Sequence, residues 1–170
     1  MPRARVAIVA LVALVACAGG AACGGTPDLG TALSVTDVLS GWYDNGIKNG
    51  QNHLLPSITF RLKNASARAI GGVQLTVSYW IEGADGESDS RLITGIGGTP
   101  IQPGQSTEPL TVRATVGYTL DQPRAELFTH SGFKDWTVRM FARRAGNIYA
   151  LGEFKVERRI IPHMKDPGRP

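Results

Sequence analysis

The stretch GVQLTVSYWIEG, Gly72 to Gly83, alternates apolar and polar side chains from one end to the other. Val73, Leu75, Val77, Tyr79 and Ile81 would share one face, with Gln74, Thr76 and Ser78 on the other. A period of two is the period of a β-strand with one buried face. Outward along the chain the pattern repeats. SITFRLKN (57–64) sets Ile58, Phe60 and Leu62 against Thr59, Arg61 and Lys63. PLTVRATVGY (109–118) points Leu110, Val112, Ala114, Val116 and Tyr118 inward, and DWTVRMFARR (135–144) does so with Trp136, Val138, Met140 and Ala142. After the turn at Arg144 to Asn147, IYALGEFKVER (148–158) predicts an inward set of Ile148, Ala150, Phe154 and Val156. Leu33 to Leu39 and Leu92 to Ile96 are weaker strands. Only Pro123 to Ser131 suits a helical turn, with proline near its start. The expected fold is therefore all-β, a single immunoglobulin-like antiparallel sandwich of about seven strands over residues 31–161.

Composition agrees. Glycine and proline, at 21 and 10 residues, mark many turns, and charged residues are sparse at 19%. The net charge of +4 resides at the ends of the chain. Arg3 and Arg5 precede the first apolar run, and Arg158, Arg159, Lys165 and Arg169 lie near the C-terminus. The body between them is close to neutral, which argues against nucleic acid as a partner.

Both cysteines, Cys17 and Cys23, fall in the leader LVALVACAGGAAC (11–23). Behind the two arginines, Val6 to Val15 make an apolar run of about 15 Å as a helix, half a bilayer core of about 30 Å. That is the format of an export signal over residues 1–16. Leu14-Val15-Ala16-Cys17 resembles the bacterial lipobox, which implies cleavage before Cys17, diacylglycerol on its thiol and a membrane anchor. Cleavage near Gly20-Ala21-Ala22, lipidation of Cys23, or a Cys17–Cys23 disulfide are the alternatives. Residues 17–30 read as a glycine-rich tether, and residues 162–170, PHMKDPGRP, as a disordered tail with nothing to bury. The expected location is extracytoplasmic and lipid-anchored. In a Gram-negative cell it would be the outer membrane, since Ala18 replaces the aspartate that usually signals retention.

The string ITFRLKNASARAIGGVQLTVSYWIEGADGE, followed by IQPGQSTEPLTV, resembles the FxLYD-like and related immunoglobulin-like domains of bacterial surface lipoproteins. The matching positions are Phe60, Asn64, Val73, Tyr79 and Pro103-Gly104. The resemblance implies a fold and an extracytoplasmic setting, and little about activity.

No motif for catalysis or a cofactor stands out. GGTP occurs at Gly24–Pro27 and Gly97–Pro100 without the Gly-Lys-Ser/Thr ending of a phosphate loop. THSGFKD groups His130, Ser131 and Asp135, but no nucleophile elbow accompanies them. The three histidines, His53, His130 and His163, lack metal-site spacing. Asn64-Ala65-Ser66 matches a glycosylation sequon and also reads as a turn. The alternative to a binding protein is a small hydrolase or metal carrier using His130 or His163.

For binding, two places are informative. GWYDNG (41–46) carries Trp42 and Tyr43 in a turn-rich segment, which would either plug the sandwich or present them at a tip. On the polar phase of the later strands stand Trp80, Phe141, Tyr149 and Leu151, flanked by Arg139 and Arg143. If those strands are neighbours, the four apolar side chains form an exposed patch, unless the 121–134 connection folds over it. The expectation is a non-enzymatic envelope lipoprotein binding a protein or glycan partner.

Overall fold

A computed structural model describes residues 27–161. The signal, Cys17, Cys23, most of the tether, and the tail with His163 lie outside the described residues. A short helix α1 (Leu29–Ala32) leads into β1 (Leu33–Lys48), β2 (Gln51–Asn64), β3 (Val73–Ile81) and β4 (Glu87–Ile96). Then come β5 (Leu110–Arg113), β6 (Tyr118–Leu120), a 3-10 helix (Arg124–Thr129), β7 (Trp136–Arg144), β8 (Asn147–Lys155) and β9 (Ile160–Ile161).

The strands form two sheets, as the alternation demands. One has the order β5-β2-β1-β9 with β6 also on β2; the other runs β4-β3-β7-β8. β3, β7 and β8 are adjacent, as strands C, F and G are in an immunoglobulin-like sandwich. Pairing is antiparallel except between β1 and β9, where Trp42 meets Ile160 and Tyr43 meets Ile161 in parallel. Ile58, Phe60 and Leu62 of β2 face Val73, Leu75, Val77 and Tyr79 of β3 and Val138, Met140 and Ala142 of β7 in one buried core. At about 1.5–3 kcal/mol for each large apolar side chain withdrawn from water, this core dominates the stability of a body without cysteine. Tyr79 bridges the layers: its phenol, fully buried, donates to the Val112 carbonyl at 3.0 Å. Burial holds that phenol protonated, far above the ordinary tyrosine range.

Four expectations are corrected. Leu29, assigned to the tether, is fully buried, and Asp28 caps its helix by accepting from the Gly30 N–H at 2.8 Å. The segment GWYDNG is strand, not turn, because β1 runs through it to a hairpin at Asn49-Gly50. PLTVRATVGY is broken into β5 and β6, leaving Val116 at 44% exposure instead of inward. Gly117 lies within the break, where a Cβ would overlap the Leu54 carbonyl, so only glycine fits there.

The fourth correction is the phase of β8. Met140 pairs with Gly152 and Phe141 with Ala150, so Leu151 is an extra residue in a bulge. The bulge reverses the strand's parity. Tyr149, Leu151 and Phe154 pack against the core, while Ile148 and Ala150 turn outward. Gly152 permits it with φ of +150°, a conformation closed to side-chain-bearing residues.

Candidate binding face

The outer face of the four-stranded sheet can be laid out from its register. Leu92, Thr76, Phe141 and Ala150 form one row across β4, β3, β7 and β8. Beside it lies the row Thr94, Gln74, Arg143 and Ile148, and on the other side Ser90, Ser78, Arg139 and Glu153. Leu92 and Ile148 are 59% and 60% exposed. Phe141 and Trp80 are half-buried and stand outside the core cluster. The sequence therefore placed Trp80, Arg139, Phe141 and Arg143 together correctly. It misassigned Tyr149 and Leu151, which face the core, and missed Leu92 and Ile148. The glycine inside IYALGEF was the available signal, since glycine within a strand often marks a bulge.

Arg139 organises one end of this face. Its guanidinium sits 4.4 Å above the Trp80 ring and its Nε donates to Glu153 at 2.8 Å. The cation–π contact contributes about 0.5–1 kcal/mol at such a site, and the exposed ion pair little more. The Trp80 Nε1 is buried with no acceptor among the described residues. A cleft of about 270 Å³ adjoins it, lined by Trp80, Gly83, Asp135, Thr137 and Lys155 among others.

The 121–134 connection closes the end of the sandwich. Leu127 is buried, and Phe133 packs on Trp42 and Tyr118 at ring separations of 5.6 and 5.5 Å. The Tyr118 hydroxyl pins the end of the connection, accepting from the Lys134 N–H at 2.8 Å. Trp42, fully buried, also meets Trp136 edge-on at 5.9 Å, so it is the plug of that end. Tyr43 points the other way, to the outside of the five-stranded sheet, where the Arg113 guanidinium covers it at 3.7 Å. Neither Trp42 nor Tyr43, at 0% and 6% exposure, forms a ligand-facing tip.

The hydrolase constellation is not assembled. His130 Nδ1 accepts from the Gly132 N–H at 3.0 Å, inside its own turn. Both Asp135 oxygens are held by Arg158, at 2.9 and 2.7 Å, and that fork keeps the carboxyl below its usual pKa. Among the described residues no cluster of His, Cys, Asp and Glu suits a metal ion. Asn64 of the sequon is buried, donating to the Arg68 and Ile101 carbonyls at 2.7 and 3.0 Å. It is a structural hub, and its amide nitrogen is already used.

No protein-family model matches this chain. No curated protein does either. Solved structures resemble it distantly. A Bordetella pertussis protein named after ApaA shares 17% identity at a TM-score of 0.41, covering 74% of this chain and 93% of its own. An Arabidopsis thaliana protein shares 14% at a TM-score of 0.40, with 79% and 83% covered. An Archaeoglobus fulgidus protein shares 12% at a TM-score of 0.36, with 73% and 98% covered. Likeness of this order carries nothing about activity.

Proposed function

We propose that this protein is a non-enzymatic, lipid-anchored envelope protein of the FxLYD-like type, in which the outer face of the four-stranded sheet binds a protein or glycan partner. The observation that supports this most is the face itself: Leu92 and Ile148 stand exposed around Phe141, with Trp80 and Arg139 at one end. Exposed apolar groups collected on one flat sheet face usually mark an interface, and Trp, Phe and Arg are the side chains that dominate such contacts. The lipobox at Leu14–Cys17 supports the location.

Photo-crosslinkers placed at Ile148 and at Thr111, which is exposed on β5 of the other sheet, test the face in the native envelope. The expected result is one discrete adduct from position 148, lost with Phe141→Ser, and none from position 111. Equal labelling from both sheets, or none from either, overturns the reading.

A further inference from the structure

A fourth row crosses the outer face at its Trp80 end: Glu87, Trp80, Thr137 and Lys155 stand in line across β4, β3, β7 and β8. The row ends in opposite charges, an acid on one edge strand and a base on the other. Both side chains are exposed, and neither takes part in an ion pair among the described residues. They cannot meet within one copy, because three strand spacings, about 14 Å, separate them. The exposed apolar groups are divided between the same two edges, Leu92 on β4 and Ile148 with Ala150 on β8. Each edge of the face therefore carries what the other edge would bind.

We infer that this face binds the same face of a second copy, in a symmetric dimer with its two-fold axis along the strands. A two-fold dimer uses one patch twice. Sheets packed face to face keep their strands within about 30° of one another. Two axes in the plane of the interface satisfy that condition, one along the strands and one across them. The axis along the strands lays β4 of one copy on β8 of the other and keeps each row on itself. Glu87 then meets Lys155 of the second copy, twice over. Leu92 meets Ala150 beside Ile148, Gln74 meets Arg143, and no like charges oppose one another. The axis across the strands reverses the order of the rows. It sets Lys155 on Ile148 and Glu153 on Ala150, which takes charges out of water without a partner. Four rows give sixteen positions per copy, fewer than the roughly 20–30 residues a side of a standard interface. The dimer therefore draws on the high local concentration of copies anchored in one membrane. The inference rests on the proposed function, both for the anchor and for the face being free to bind.

The test uses the full chain in its native envelope, with the photo-crosslinker at position 148. The expected adduct has twice the mass of the mature chain, and it joins position 148 to the tryptic peptide 92–113, which begins on β4. Glu87→Lys or Lys155→Glu alone sets like charges against each other at both contacts and should lower that adduct about threefold or more. The double reversal Glu87→Lys/Lys155→Glu should restore it, which a loss through misfolding would not allow. Thermal unfolding of each single variant checks that the fold is intact. An adduct of any other mass leaves the face a binding surface and overturns the dimer alone. So does a doubled mass that maps elsewhere than 92–113, that neither single reversal lowers, or that the double reversal fails to restore. Absence of any adduct overturns the dimer and the proposed binding face together.

Discussion

At the scale of single residues, the decisive comparison is between aromatics on the two sides of one sheet. Phe60 is fully buried, and its replacement by serine should cost about 3–5 kcal/mol. Phe141 lies on the outer face and should cost under about 1 kcal/mol, while Tyr149, turned to the core by the β8 bulge, should cost about 1–2 kcal/mol. Urea unfolding of the three variants measures the order, and a Tyr149 loss no larger than that of Phe141 would place both on the surface. Phe141 was legible in the sequence because β7 keeps its parity throughout. Tyr149 was not, because a single extra residue at Leu151 inverts every side chain before it, and parity counted from either end gives opposite answers. His53 yields a second prediction at this scale. The Asn45 amide meets its Nδ1 at 2.8 Å, and burial, aided by Lys48, holds its pKa below the ordinary 6.5. The folded state therefore binds the proton less readily than the unfolded chain. Stability contributed by neutral His53 is present above 6.5 and declines as pH falls through that value toward the folded pKa. Unfolding free energies from about pH 8 to about pH 5 should show that decline, and His53→Gln should flatten it.

Among the elements, the β1–β2 hairpin shows how turn chemistry is read and misread. Asn45-Gly46 and Asn49-Gly50 are both strong turn dipeptides, four residues apart. The first is a bulge, with Asp44 on Leu54 and Ile47 on Asn52, and only the second reverses the chain. What separates them is tertiary: Trp42 must reach the core beside Phe133 and Trp136, which draws GWYDNG into the strand. Asn49 and Gly50 take φ of +51° and +81°, the doubly left-handed geometry of a tight hairpin closed by Lys48 and Gln51. Gly50→Ala should destabilise by about 1 kcal/mol through backbone strain alone, since nothing crowds a Cβ there. A lowered denaturation midpoint with unchanged slope is the expected signature; an unchanged midpoint would show the turn relaxes freely.

For the whole molecule, the chain ends carry the testable claims. Mass spectrometry of the mature protein should find a lipidated Cys17 as its first residue, and Cys17→Ser should block processing; an unmodified N-terminus beyond it would refute the anchor. Truncation after Ile161 should leave the melting temperature unchanged, because Ile161 itself closes the β1–β9 pairing and the nine residues beyond it lack apolar alternation. A drop of several degrees, on the order of 1 kcal/mol, would show that the tail docks. The sandwich as a whole was readable from alternation, since both sheets need one dry face. The short β9 and the helix α1 were not, because elements of two and four residues have no period to detect. That helix has a further consequence. It lies against β8, where a Cβ on Gly30 would stand 3.6 Å from the Ala150 carbonyl, so the chain enters at the margin of the candidate face. With the lipid on Cys17, the eleven residues to Asp28 span at most about 40 Å when fully stretched. A face joined to the lipid at its own rim would reach only what comes within that distance of the bilayer surface.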